Sequence, residues 1–136
     1  MIDIENELFT KLETRLRSEY YPQEISVYGE YVRVPALFPS VIITESDNYV
    51  LERTQTGTEV ENHAIVVYEI NVYSNKEIGK KSECKKIFKI IDEEIGELGF
   101  TRIMLNPVPN FEDSTIYRMT GRYRAVVSLD KIIYRR

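Results

Sequence analysis

The longest strand signal in the chain runs over residues 115–129. Tyr117, Met119, Gly121, Tyr123, Ala125, Val127 and Leu129 share one parity, while Arg118, Thr120, Arg122, Arg124 and Ser128 fall on the other. Period two marks a strand with one face buried. Fully extended, this run would reach about 50 Å at ~3.3 Å per residue, well beyond a usual strand. It is therefore expected either to bend at Gly121 or to project beyond its own domain. Residues 64–73 repeat the pattern, with Tyr68, Ile70 and Val72 alternating against Glu69, Asn71 and Tyr73. One buried and one polar face favours an antiparallel sheet covered on one side over a doubly wound parallel sheet.

Two segments carry helical periodicity instead. Ile4, Leu8, Leu12 and Leu16 stand four apart beside Phe9, with Asp3, Glu5 and Glu7 in the first turns and Arg15 and Arg17 in the last, so a helix is expected over residues 3–18. Cys84, Ile87, Phe88, Ile91, Ile95 and Leu98 follow at helical spacing until Gly99, and Ser74-Asn75-Lys76-Glu77 resembles a capping box. This predicts a second helix over residues 78–98. Together the patterns predict an α+β fold, a mostly antiparallel sheet with two amphipathic helices packed on one face.

The remaining expectations are shorter. Residues 20–39 read as a meandering surface segment with β-like runs at 25–28 and 31–34, because Pro35 and Pro39 exclude a central strand. Residues 40–44 read as a short strand, Ser46-Asp47-Asn48 as its turn and 49–53 as a partner strand; 53–62 reads as a mobile loop. Residues 101–105 form a further β region before a Pro-rich connection at 106–110, and Ile132-Ile133-Tyr134 extends the sheet after a turn at Asp130-Lys131.

At 136 residues the chain is expected to be one domain, 1–136, able to fold without a metal or disulfide staple. Its apolar runs fall far short of the ~20 residues of a membrane span, and Met1-Ile2-Asp3-Ile4-Glu5 has no basic leader region, so a soluble, intracellular protein with no membrane partner is expected. One cysteine and one histidine leave no internal disulfide and no pair of soft zinc ligands. The net charge of −4 divides unevenly: residues 1–62 hold 12 acids and 5 bases (5 − 12 = −7), and residues 63–136 hold 10 acids and 13 bases (13 − 10 = +3). Opposite halves invite self-association, unless folding mixes them in space.

Catalytic chemistry has little to work with. Cys84 lies on the apolar face of the second helix and reads as a core residue, His63 reads as a loop-end residue, and the six glycines match no phosphate-cradling signature. Asp92, Glu93, Glu94 and Glu97 lack the donors of a calcium loop and read as a solvated face. No enzyme activity, cofactor or metal is expected. The second helix does carry one unusual feature: Lys80, Lys81, Lys85, Lys86 and Lys89 crowd its first half and the acids its second, the order that opposes the macrodipole. Four-apart pairs such as Lys89 with Glu93 would soften this; the functional alternative is a bipolar surface meeting another subunit or protein. Arg118, Arg122 and Arg124 form a basic stripe. It suits a nucleic-acid footprint less well than cross-strand or intersubunit pairing, for which Glu69 is a partner, because the chain is acidic overall. Candidate interface residues are thus Lys80, Lys81, Lys85, Asp92, Glu93, Glu69, Arg118, Arg122 and Arg124.

Several stretches taken in order carry a resemblance. They are Phe38-Pro39-Ser40-Val41, Glu45-Ser46-Asp47-Asn48, Val67-Tyr68-Glu69-Ile70-Asn71-Val72-Tyr73-Ser74-Asn75, Leu98-Gly99-Phe100-Thr101-Arg102, Asn106-Pro107-Val108-Pro109-Asn110, Thr115-Ile116-Tyr117-Arg118 and Gly121-Arg122-Tyr123-Arg124-Ala125-Val126-Val127. Over residues 38–136 the chain resembles the small tail-terminator, or tail-completion, proteins of tailed phages and prophages of Gram-positive bacteria. That resemblance implies a virion structural protein and an α+β subunit in a homo-oligomeric ring, typically of six. The ring caps the tail tube, stops its polymerisation and presents the head-tail joining surface. Its implied partners are other copies of itself, the tail tube protein and the head-tail connector protein, with genomic DNA passing through non-specifically. Its implied place is the head-proximal end of the virion tail, and the host cytoplasm during assembly. A ring needs a heterologous interface, for which the opposed charge halves and the overlong strand are suitable material, and segments that order on contact, for which 53–62 and 106–114 are candidates. A connector stopper or a tail tube subunit is the alternative within that class; a monomeric or nucleic-acid-binding accessory module is the alternative outside it.

Overall fold

The computed structural model describes residues 2–30, 37–50, 63–109, 115–128, 131 and 133–134. In chain order the elements are α1 (Glu5–Tyr20), β1 (Ser26–Tyr28), β2 (Ser40–Val50), β3 (His63–Ser74), α2 (Lys80–Glu97), β4 (Thr101–Val108), β5 (Tyr117–Ser128) and β6 (Ile133–Tyr134). The strands form one sheet in the order β1-β2-β3-β5-β4, with β6 on β5. Only the β1–β2 pair is parallel; β2–β3, β3–β5, β4–β5 and β5–β6 are antiparallel. The fold is α+β, with a mostly antiparallel sheet and two helices.

β3 and β5 match residue for residue from His63 opposite Ser128 to Ser74 opposite Tyr117. β5 therefore does not project beyond the fold, as its length suggested. β3 covers its whole extent on one side, and on the other β4 pairs with Arg118 to Arg124 and β6 with Val126 and Val127. Since β4 runs antiparallel to β5, β3 and β4 are parallel to each other, and β3-α2-β4 forms a split β-α-β unit with β5 inserted.

Parity decides where the helices sit. Ala64, Val66, Tyr68, Ile70 and Val72 of β3, and Met119, Tyr123, Ala125 and Val127 of β5, join Leu8, Leu12 and Leu16 of α1 and Cys84, Ile87, Phe88, Ile91 and Ile95 of α2 in one core. Both helices thus pack on the same sheet face. Each leucine of the α1 stripe is at most 2% exposed, and each such burial stabilises by about 1.5–3 kcal/mol. The opposite face is less uniformly polar and exposed than the alternation implied, because Ile42, Ile65 and Tyr73 are buried there, together with the polar Asn71.

α1 and α2 run antiparallel: Arg15 reaches Glu93 and Glu94, while Tyr20, further along α1, lies under the Lys86 ammonium. α2 ends in a Schellman motif. Gly99, at φ 103°, donates its amide to the Gly96 carbonyl, and Phe100 donates to that of Ile95. At the other end no capping box forms. Ser74 is the last residue of β3, its hydroxyl bonds Glu83 at 2.6 Å, and Gly79 occupies the cap with no side-chain bond.

Other local expectations change for reasons of pairing. Ser46-Asp47-Asn48 is not a turn: β2 continues to Val50, and Ser46 is the extra residue of a bulge, its hydroxyl on the Val67 carbonyl at 3.2 Å. The polar triplet imitates turn chemistry because a bulge also leaves groups for side chains to satisfy. β4 runs on through Pro107 to Val108, which an outer strand tolerates because it need not donate on its free side. The Asn106–Val108 part of a candidate mobile segment is therefore strand. The short run at 25–28 is no surface meander: Ile25 is 1% exposed and β1 pairs with β2. The readings of 31–34, 53–62 and 110–114 lie outside the described residues.

Gly121 is required for packing. A Cβ there would lie 2.7 Å from Cε1 of Phe88, itself 2% exposed and unable to swing away. Gly121→Ala should lower stability by about 1–3 kcal/mol through overpacking. Much of that loss should return in Gly121→Ala/Phe88→Leu, as read by urea denaturation midpoints; equal midpoints for wild type and Gly121→Ala would refute the contact.

Candidate functional site: two charged layers

The residues singled out from the sequence fall into two groups on opposite sides of the sheet. Glu69, Arg118, Arg122 and Arg124 lie on the helix-free face, because their parity on β3 and β5 is opposite to that of the core residues. Lys80, Lys81, Lys85, Asp92 and Glu93 lie on α2 in the helix layer. No single surface brings all nine together.

On the sheet face, register converts much of the arginine stripe into a cross-strand network. Glu69 is opposite Arg122 and accepts from its Nε and Nη2 at 3.1 Å. Asn71, 5% exposed, accepts from Arg118 Nε at 3.0 Å and from the Thr120 hydroxyl, and donates to Glu69 at 3.3 Å. The Arg118 guanidinium also lies 5.7 Å from the centre of the Tyr73 ring, within cation–π range. Arg124, between Val67 and Thr101, has no ion pair among the described residues. Glu69 thus pairs with the arginine stripe, as the sequence suggested, and register selects Arg122 as its ion-pair partner. Being partly exposed, the pair is worth roughly 0–1 kcal/mol.

In the helix layer the acidic half of α2 is engaged within the chain. Asp92 accepts from Arg102 at 3.4 Å and from the Tyr123 hydroxyl at 3.3 Å; Glu93 and Glu94 accept from Arg15 at 3.2 and 2.9 Å. Glu93 therefore turns to α1 rather than to Lys89. Of the lysines, only Lys86 has a described partner, the Tyr20 ring at 5.4 Å. Lys80, Lys81, Lys85 and Lys89 form no ion pair among the described residues. The two halves of α2 differ: Asp92, Glu93 and Glu94 of the acidic one are met by Arg15 and Arg102, whereas Lys80, Lys81, Lys85 and Lys89 of the basic one meet no described carboxylate.

Sequence reasoning missed Arg15 and Arg102 as the partners of these acids. Arg102 stands just past the Gly99 stop, where a returning strand could have suggested it; Arg15 is seventy-nine residues from Glu94, and no spacing rule reaches that far. It also missed Asp3, Glu5 and Glu45, whose carboxylate oxygens lie within 4.8 Å of one another. Burial first, then Glu45, Asp3 and Glu30, push the Glu5 carboxyl above its usual range. Oxygen donors so placed could approach a hard cation, but exposed carboxylates often crowd without one.

Cys84 is a core residue. Its thiol points at the carbonyls of Val72 and Tyr117 at 3.7 and 3.8 Å, and burial, with Glu83 adding, pushes it up to about 12. His63 is at the other end of β3, nine residues from Val72, about 30 Å at ~3.3 Å per residue. These two side chains do not meet. No helix of the described residues is long and apolar enough to cross a membrane. No protein-family model matches the chain, and no curated protein matches it.

Burial likewise pushes the Tyr20 hydroxyl up to about 12. A group whose folded pKa is raised adds stability that is complete below its unfolded value and is lost as pH rises through the folded one. For Cys84 that window runs from 9.0 to about 12. Urea midpoints should therefore fall between pH 8 and pH 11, and less steeply in Cys84→Ala; a thiol reagent at pH 8 should label Cys84 only after denaturation.

Proposed function

We propose that this chain is a phage tail terminator: a virion structural protein whose copies form a ring on the tail tube, halt its polymerisation and provide the surface for the head-tail connector. The ordered stretches within residues 38–136 supply the family reading. The observation that carries the assembly reading is the outward basic half of α2, with Lys80, Lys81 and Lys85 unpaired among the described residues while the acids of the same helix are held by Arg15 and Arg102. Unneutralised charge at one end of a helix, in the order its macrodipole disfavours, adds nothing to the stability of that helix and is suited to an acidic partner surface.

The α+β subunit supports the reading as well, since its sheet gives a rigid platform and its helices occupy one face. The implied partners are further copies of the chain, six in a ring, then the tube and connector proteins. DNA would pass through the lumen without sequence readout. The implied location is the head-proximal end of the tail, reached from the host cytoplasm.

Purified protein should form rings in negative-stain images, or show a mass of several subunits that rises with concentration. A terminator should stop at one ring, where a tube subunit would continue into long polymers. Lys80→Glu/Lys81→Glu/Lys85→Glu should impair assembly or docking while leaving the melting temperature within a few degrees. A strict monomer that also fails to bind tail tubes would sink the reading.

A further inference from the structure

Two ends of the molecule carry surfaces that the described fold leaves unused. At the start of α2, Ile78 is 87% exposed in the β3–α2 connection, between Lys76 and Lys80, with Lys81 and Lys85 close behind. A lone exposed isoleucine is ordinary. Its significance lies in what the other end presents. Where α1 begins and α2 ends, a cavity of about 200 Å³ opens among Ile4, Leu8, Leu98, Phe100 and Ile133, with the charged Glu7, Lys11 and Lys131 completing its lining. That is larger than an apolar cavity of ~150 Å³ able to hold benzene. The 2.7 Å Glu7–Lys131 ion pair borders it. The Asp3, Glu5 and Glu45 group belongs to the same end of α1; it forms no ion pair among the described residues, although Glu45 accepts from the Tyr68 hydroxyl and Asp3 from the Glu5 amide, each at 3.0 Å. Asp3 is near enough to Lys131 to join Glu7, the stronger influence, in keeping that ammonium charged.

Because α1 and α2 are antiparallel, these two ends face away from each other, separated by the eighteen residues of α2, about 27 Å at ~1.5 Å per residue. One end thus offers an exposed isoleucine, flanked by Glu77, with Lys80, Lys81 and Lys85 behind it, and the other a largely apolar hole at the end of the molecule that carries Asp3, Glu5 and Glu45. Complementary patches at opposite ends make a head-to-tail contact, the heterologous kind that gives a ring where its rotation closes and a filament where it does not. We propose that the occupant of the cavity is Ile78 of a second copy, with that copy's Lys80, Lys81 and Lys85 set against Asp3, Glu5 and Glu45. This deepens the ring reading above and rests on it for closure.

The test compares mass against concentration, by sedimentation, for the full chain and three variants whose melting temperatures are measured alongside: Ile78→Asp, Lys80→Glu/Lys81→Glu, and Asp3→Lys/Glu5→Lys. Each variant alone should weaken assembly at least tenfold in dissociation constant. An equal mixture of the last two should assemble again, because the acidic end of one then meets the basic end of the other. If the wild type assembles and all three variants assemble equally well, the interface is elsewhere and the ring reading survives. If both reversals lose assembly but the mixture does not regain it, the pairing of these two ends is wrong. A wild type that stays monomeric at every concentration overturns both.

Discussion

The fold depends on the pairing of β3 along both of its edges. β2 and β5 lie antiparallel to it over nearly its full length, so its backbone groups are satisfied within the sheet and its side chains are sorted strictly by parity. Ala64, Val66, Tyr68, Ile70 and Val72 can bury only against something on their own side, and α1 and α2 both settle there. A shift of one residue in the β3–β5 register would expose that set and remove the gap at Gly121 into which Phe88 fits. The position of α2, and with it every charge that α2 carries, follows from this ladder.

The reversed charge order of α2 has a tertiary explanation for one half only. Acids near a helix C-terminus are locally unfavourable, but Arg15 from α1 and Arg102 from β4 neutralise Asp92, Glu93 and Glu94 from outside the helix. No described carboxylate plays a similar part for Lys80, Lys81, Lys85 or Lys89, and this difference between the two halves makes the N-terminal end of α2 the stronger candidate interface. The sheet face shows the converse: a basic stripe that could suggest nucleic acid becomes largely an internal network through Glu69 and Asn71. Folding also interleaves the acidic and basic halves of the chain, since α1 packs on α2 and β2 pairs with β3. The interface argument therefore belongs to local patches and not to the −7 and +3 division.

Much of the architecture was legible from the sequence wherever one periodicity ran unopposed. α1, α2, β3 and β5 show it, because burial of a single face imposes period 3.6 or period 2 directly on residue type. Legibility failed where chain chemistry has two uses. Ser46-Asp47-Asn48 satisfies a bulge as well as it would a turn, Pro107 is compatible with an outer strand as well as a connection, and Ser74 to Glu77 has capping-box spacing without opening the helix. The candidate site was half legible: the lysines, and Glu69 as a partner for the arginine stripe, followed from spacing and parity, whereas the choice of Arg122, Arg15 with Glu94, and the Asp3, Glu5 and Glu45 group join positions far apart in the chain.

The amino-acid pattern alone determined an α+β fold with two amphipathic helices on one face of a mostly antiparallel sheet, and a cysteine belonging to the core. Those features are set by which residues must leave water, a property each segment carries by itself. Strand order, the full coverage of β5 and the identity of the charges left without a partner were decided by the tertiary structure. These depend on distances between segments, and a charge near the chain ends of two helices is neutralised or left bare according to what packing brings within about 4 Å of it.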